Sequence, residues 1–318
     1  MGKSTGKEVY FIHFPGIRKK VKEIDRDRYV ELSKARQGII ALQQIEEYFN
    51  LILKSYEEFE QELLSINLRE ITSPKDEMSK DIASEKWSYD MESLYLLNLR
   101  LTSFLVTSIS YREVLKGKLS SLLEKTSKEF IELKNKIEKD LSEEWIFQLM
   151  IILRNINVHQ GKLINTITKR QTKVETGKGL WKRTIHLKIS IDEIFASSRQ
   201  IQDFNLLQEK LSELREQNDS LELIPLLRMH MDLIGNFHKD MRKIVSEKTR
   251  EIDQLIFDAL NTNNDFLYLK RATEEDGITE QLTVFIDPIN RRRSLITKNH
   301  VLHRFSIQFV SGESPKLD

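Results

Sequence analysis

The chain has 318 residues with 50 Lys and Arg against 49 Asp and Glu, and its net charge of +1 excludes a global electrostatic attraction to nucleic acid. It contains no Cys, which excludes disulfides, thiol catalysis and zinc–thiolate sites and is consistent with a reducing cytoplasm. The chain is 39% hydrophobic and can bury a core, while its scarcity of Gly and Pro favours long helices. No apolar run reaches membrane length, and the polar, basic N-terminus lacks the hydrophobic region of a secretory signal.

The first half of the chain is predicted to be helical. Residues 1–24 form a tail and one short strand, because the β-type run 9–14 is ended by Pro15 and Gly16. The spacing of apolar residues then predicts helices at about 27–67, from 88 until Gly117 breaks or kinks the helix, at 119–139 and at 145–161. Ser142, followed by two glutamates, is the predicted N-cap of the last helix. Four such helices with short connections predict an up-and-down bundle over residues 25–161.

The second half is predicted to mix strands with helices. Residues 162–190 alternate polar and apolar residues around a glycine-rich centre, which predicts a β-hairpin. Ser190 and Glu193 form a capping box that opens a region of further long helices at 191–260. Residues 261–318 are predicted to be β-rich, and their strands join the earlier ones in one small mixed sheet. The predicted fold class is mainly α, an antiparallel bundle of four to six long helices with a small accessory β-sheet.

The fourth helix of the predicted bundle carries the chemically most informative residues. Its run 145–153 is apolar on nearly all sides, which is typical of a buried helix. Arg154, Asn155 and His159 follow at once, and Gly161 stands where a C-cap glycine would. Polar groups at the end of a buried helix need partners, either inside the protein or in a substrate.

The spacing Arg154-Asn155-x-x-x-His159 resembles the signature of the HEPN superfamily. The resemblance is specific over this motif and architectural over the rest of the chain. Proteins of that superfamily are all-helical bundles, many of them metal-independent endoribonucleases whose protomers pair their motifs across a dimer cleft. The resemblance therefore implies RNA as the substrate, a homodimer, no cofactor and no metal. It also implies a cytoplasmic toxin or defence effector of bacteria, with an antitoxin or regulatory protein as a further partner.

The residue types suit this chemistry. Arg154 carries a permanent charge and a planar set of donors that fits a phosphate. A histidine such as His159 titrates near neutral pH and can exchange a proton with a ribose hydroxyl. On a straight helix, however, residues five apart point about 140° away from each other, whereas Asn155 and His159 share a face. Either the helix is loosened near its end, or one site draws residues from two chains.

Less specific interpretations compete with this one. Arg154 and His159 would also suit a helix C-terminus as solvated caps, in which case the protein is a non-catalytic helical scaffold or RNA-binding module. A second Arg–His match, Arg293 with His300, lacks the polar residue after the Arg and is interpreted as chance. The basic residues Arg291, Arg292 and Arg293 are predicted to lie in a loop, where they contact an RNA backbone or are simply solvated.

Overall fold

The computed structural model describes residues 8–14, 21–72, 80–173, 181–198, 205–260, 264–273 and 277–299. Within them the protein is mainly α, as the sequence predicts, and its strands form small antiparallel sheets. The helices are α1 (Arg26–Thr72), α2 (Lys80–Leu122), α3 (Lys128–Lys136), α4 (Trp145–Gln160), α5 (Ile191–Ser198), α6 (Asn205–Gln217), α7 (Leu223–Ile244), α8 (Ser246–Leu260) and α9 (Asp287–Lys298). The strands are β1 (Glu8–His13), β2 (Val21–Ile24), β3 (Thr168–Lys173), β4 (Trp181–His186), β5 (Lys188–Ser190), β6 (Ser220–Glu222), β7 (Phe266–Thr273) and β8 (Gly277–Phe285).

These elements form two compact units, each built from separate stretches of the chain. Unit 1 contains the described residues of Met1–Tyr48, Val114–Lys134 and Met241–His300. Unit 2 contains the described residues of Phe49–Glu113 and Asn135–Asp240. The helices α1, α2 and α7 each contribute residues to both units. The boundaries of the two units therefore do not coincide with those of the five consecutive segments that the sequence predicts.

Unit 2 contains a bundle of α1, α2, α4 and α7. Ser55 contacts Thr107 and Glu58 contacts Arg100, so α1 and α2 run antiparallel. By the same criterion α4 is antiparallel to α2, because Asn157 bonds Thr102 while Phe147 lies under Arg112. Contacts of Glu60 with Arg228 and of Phe49 with His238 make α7 antiparallel to α1. Its fully buried core side chains include Phe59, Leu97, Phe104, Phe147 and Leu227.

The predicted antiparallel bundle is confirmed, but its fourth helix is α7 instead of the segment 119–139. α2 continues through Gly117 to Leu122, and the remainder of that segment forms the short α3 and one turn of π-helix (Ile137–Ser142). The predicted N-cap is also wrong. Ser142 donates its hydroxyl to the carbonyl of Ile137, and Glu144 precedes α4 without a side-chain cap.

The sheet of unit 1 has four antiparallel strands in the order β2-β1-β7-β8. Ile12 pairs with Leu269 and Leu267 pairs with Val284, which aligns the buried residues of β1, β7 and β8 on one face. The predicted single mixed sheet is therefore wrong. The strands β3–β4 and β5–β6 form two separate antiparallel pairs in unit 2. The predicted strand at 305–310 lies outside the described residues.

The basic segment predicted as a loop is helical between Asp287 and Lys298. Pro288 occupies the first turn of this helix, α9, where a missing backbone N–H costs nothing. Ile289 and Leu295 are buried on the inner face of α9. Among the described residues, no helix combines the length and apolar character needed to cross a membrane.

Candidate functional site

The candidate site lies at the C-terminal end of α4, in unit 2. The preceding turns of α4 are buried, with Phe147, Leu149 and Met150 fully enclosed, as the apolar run predicts. Gly161 caps the helix with a left-handed φ of 82°, and its N–H donates to the carbonyl of Asn157. Glycine adopts that conformation without strain, which explains why the helix stops there. The polar residues of the motif are thus placed in the last two turns of an anchored helix.

Arg154 is half-buried and lacks an internal counterion in the described part of the chain. Its Nε is buried and has no hydrogen-bond partner there. No carboxylate of the described residues lies within ion-pairing distance of its guanidinium. A buried donor without an acceptor costs about 1–3 kcal/mol, so this position is unfavourable unless another group supplies an acceptor.

Asn155 and His159 lie one turn apart on the same face of α4. Asn155 is half-buried, and His159 is exposed in the last turn of the helix. A solvent-facing histidine beside an amide is able to exchange a proton with a ligand on that face.

The helix keeps regular α geometry through Gln160. The loosened helix end considered from the sequence is therefore not what the structure contains. With 100° per residue, Arg154 and His159 point about 140° apart on this helix. One chain thus presents the Asn155–His159 face and the Arg154 side chain in divergent directions.

Two asparagines fix the end of α4, and sequence reasoning did not identify either role. The Nδ2 of buried Asn157 donates to Thr102 Oγ1 at 2.7 Å. Asn98 of α2 accepts from the backbone N–H groups of Leu163 and Ile164, both at 2.9 Å, and donates to the carbonyl of Ile164 at 2.8 Å. A polar residue inside the apolar stripe of α2 was the available signal. These bonds hold the chain just beyond the motif against α2.

The predicted RNA-contacting arginines lie on α9 in unit 1. Arg292 is 3% exposed, and its Nη2 donates to Asp253 at 2.6 Å. Arg293 also reaches Asp253, at 3.1 Å, and stacks over Phe257. Arg291 lies 3.5 Å from Glu47. Because Arg292 is buried, its guanidinium is out of reach of a phosphate backbone, and Arg291 and Arg293 already face carboxylates.

A second set of Arg and His side chains lies on the buried side of α7 in unit 2. Arg228 forms two bonds to the carboxylate of Glu60, at 2.7 and 2.9 Å. His230 is fully buried beside Ser108, and burial lowers its pKa to about 3 because the charged imidazolium is excluded from the core. His238 stacks on Phe49 with ring centroids 3.8 Å apart and hydrogen-bonds the Tyr111 hydroxyl. These groups belong to the core.

The described residues include no group of three or more His, Asp or Glu side chains arranged to hold a metal ion. Comparison of the chain with family models, with curated proteins and with solved structures found no match in any of the three.

Proposed function

We propose that this protein is a metal-independent endoribonuclease of the HEPN kind that cleaves RNA at a composite site between two copies of the chain. Arg154, Asn155 and His159 form the site, and no cofactor takes part. The proposal includes a cytoplasmic toxin or defence role, with an antitoxin or regulatory protein as a partner. It rests on the motif spacing together with the state of its residues in the structure.

The observation that carries the proposal is the unmet bonding capacity of Arg154. Among the described residues, the two most deeply buried arginines, Arg228 and Arg292, are each bound to a carboxylate. Arg154 has no such partner there and holds a buried Nε without an acceptor. A phosphate ligand would supply the missing acceptors and a negative charge.

The reaction requires one proton transfer at each end. His159 removes the proton from a ribose 2′-hydroxyl, and the resulting oxygen attacks the adjacent phosphorus. The bond from phosphorus to the 5′-oxygen of the next nucleotide breaks, that oxygen takes up a proton from water, and the protonated His159 returns its proton to the solvent. The products are a 2′,3′-cyclic phosphate and a free 5′-hydroxyl. Arg154 stabilises the extra negative charge on the phosphate oxygens, and Asn155 orients the substrate on the His159 face.

The divergence of Arg154 and His159 on a regular helix supports two chains per site. A second feature of unit 2 supports the same conclusion. α2 exposes four large apolar side chains at four-residue spacing, between 44% and 68% exposed: Trp87, Met91, Tyr95 and Leu99. Exposed apolar stripes of this kind are typical of protein interfaces. The stripe ends next to Asn98, which holds the chain just beyond the motif, so a partner copy packed on it would reach the motif end of α4.

The test is cleavage of end-labelled transfer RNA in the presence of a metal chelator, with binding measured separately. His159→Ala is expected to lose about two to four orders of magnitude in rate with little change in RNA affinity. Arg154→Ala should lower both rate and affinity, because a fixed cation acts on the ground state and the transition state alike. Arg154→Lys should recover only part of the rate, since an ammonium lacks the planar donor pair.

Thermal melts of each variant separate catalysis from folding. If the variants fold and cut as fast as wild type, the assignment of the catalytic residues is wrong. If activity depends on an added divalent ion, the reaction is not metal-independent. If wild type binds RNA without cutting it, the alternative of a non-catalytic RNA-binding or scaffold protein is favoured.

A further inference from the structure

The hairpin β3–β4, which follows the motif helix in the chain, concentrates positive charge. β3 contains Lys169, Arg170 and Lys173, β4 contains Lys182 and Arg183, and neither strand contains an acidic residue. The whole chain has a net charge of only +1. The hairpin is therefore a local basic patch in a nearly neutral protein, which is the kind of feature that an electrostatic partner recognises.

One face of this hairpin is held against the rest of unit 2, and several residues of β3 are exposed to solvent. Ile185 is buried, and its cross-strand neighbour Lys169 forms an ion pair with Asp90 of α2 at 2.7 Å. Arg170, Thr172 and Lys173 are exposed. Within the described residues, no carboxylate lies within ion-pairing distance of Arg170 or Lys173.

The base of the hairpin is fixed by a polar cluster. His186, paired across the strands with Thr168, lies with Nδ1 3.1 Å from Glu222 and with Nε2 3.0 Å from the Thr184 hydroxyl. Glu222 belongs to β6 and directly precedes α7. The hydrogen bond from His186 to Glu222 thus connects β4 to the start of α7 and fixes the position of the base of the hairpin.

The hairpin is also close to the candidate site along the chain. Arg170 comes eleven positions after His159, so even a fully extended chain would place them no more than about 40 Å apart. Asn98 holds the intervening Leu163 and Ile164 against α2. A stem of RNA whose backbone follows the hairpin could therefore reach His159.

We propose that the β3–β4 hairpin binds the RNA backbone, with Arg170 and Lys173, which point to opposite faces of β3, as contacts to different phosphates. This inference rests on the proposed ribonuclease function, since it names the surface that delivers the substrate to the same site. It replaces α9 as the principal basic contact. There Arg292 is buried, and Arg291 and Arg293 face Glu47 and Asp253, whereas Arg170 and Lys173 have no such neutralising neighbours in the described chain.

Such contacts position RNA without reading its sequence, and they release counterions from the phosphates. Binding should therefore weaken with salt, and each lost contact should make that dependence less steep. The expected partner is a structured RNA whose backbone is accessible on one side, and base identity should matter little at this surface.

The experiment is fluorescence anisotropy of labelled transfer RNA over a range of salt concentrations. It compares the wild-type chain with an Arg170→Ala/Lys173→Ala double variant. The double variant should bind more weakly, and its slope of log affinity against log salt should be shallower by about one for each contact removed. A matched control, Lys125→Ala/Lys128→Ala, removes the same charge from exposed positions in the other unit and should leave the slope unchanged.

The outcomes separate the two proposals. If wild type binds and cuts RNA while the hairpin variant does so with the same affinity and slope, the hairpin inference is wrong and the ribonuclease proposal stands. An equal loss in the control variant would also overturn it, because the effect would then be one of total charge. If wild type neither binds nor cuts RNA, both proposals fail. A weakened hairpin variant with an unchanged control, cutting at the wild-type rate at saturating RNA, supports both.

Discussion

Unit 2 contains two sets of arginine and histidine side chains that differ in their burial and in their hydrogen-bond partners. The set under α7, Arg228 with His230 and His238, is buried, and each member has an internal hydrogen-bond partner. The set at the end of α4 has a half-buried Arg154 and an exposed His159, with no internal acceptor for Arg154 Nε in the described chain. The residue types alone therefore do not identify a site. Within the described chain, what distinguishes the α4 set is that His159 is exposed and that Arg154 has no carboxylate partner.

The difference also separates two kinds of energetic contribution. A buried ion pair such as Arg228–Glu60 stabilises the fold only as a pair, because either charge alone would be buried without compensation. A residue that binds a ligand contributes little to the free energy of folding. A buried donor without an acceptor destabilises the fold, and a bound ligand that supplies the acceptor removes this penalty. Stability measurements and activity measurements should consequently report on different sets.

The largest expected effect on stability comes from breaking the α7 set. Arg228→Ala removes the cation that neutralises Glu60, in a site where the Arg is 1% and the Glu side chain 18% exposed. It should lower the free energy of unfolding by about 3–5 kcal/mol in urea titrations. Replacing both residues, with Arg228→Met and Glu60→Leu together, should recover most of the loss. Arg154→Ala should cost no more than about 1 kcal/mol, the usual contribution of a cation at a helix C-terminus. An equal loss for Arg154→Ala would make it a structural residue.

A second expected effect is a pH dependence of stability from His230. Its pKa is lowered to about 3 by burial, whereas an unfolded histidine has a pKa of about 6.5. Because the folded-state pKa is the lower one, the unfolded chain binds protons first as the pH falls below that of the free histidine. Its contribution is therefore fully present above pH 6.5 and is lost toward pH 3, by about 1.4 kcal/mol per pH unit.

The measurement compares wild type with His230→Gln, which keeps a donor for Ser108 and does not titrate. Between pH 6.5 and 5, wild type should lose about 2 kcal/mol more of its unfolding free energy than the variant. A constant difference between the two proteins over this range would show that His230 is accessible to protons in the folded state.

The smallest effect concerns the cap that ends the motif helix. Gly161 has a φ of 82°, and an added Cβ would meet no atom within 4 Å, so only backbone strain opposes a side chain there. Gly161→Ala should therefore cost about 1–2 kcal/mol in thermal or urea unfolding. Gly117→Ala is the matched control, because Gly117 lies inside α2 with open space around it, and there the change should be neutral or stabilising. A melting temperature of Gly161→Ala equal to that of wild type would show that the cap conformation is not maintained in solution.

Local features were predictable from the sequence, whereas pairings between distant segments were not. The apolar run at 145–153 and Gly161 correctly predicted a buried helix and its end, since periodicity and capping act over a few residues. The clamp by Asn98 joins residues 65 positions apart, and the pair Arg228–Glu60 joins residues 168 apart. No spacing rule connects such residues, because the tertiary fold brings them together.

Among the elements that were missed, β2 and α9 have identifiable reasons. The sequence of β2, Val-Lys-Glu-Ile, has no apolar alternation, and none of its residues is buried. This strand is held in the sheet by its backbone pairing with β1. The start of α9 combines Pro288 with three arginines, which resembles a solvated loop, although Pro is well suited to a first helical turn. For the candidate site, the sequence supplied the residues and the structure supplied their exposure and lack of partners.

The most direct test of a composite ribonuclease site is complementation between inactive chains. Arg154→Ala and His159→Ala chains are purified separately, mixed in equal amounts under conditions of subunit exchange, and assayed on labelled transfer RNA with chelator present. In a mixed dimer, one site takes its intact Arg154 from one chain and its intact His159 from the other, while the second site lacks both. The mixture should therefore recover about a quarter of the wild-type rate, although each variant alone is nearly inactive. A mixture that cuts no faster than the separate variants, or a wild-type chain that stays monomeric in analytical ultracentrifugation with RNA present, would contradict the composite site.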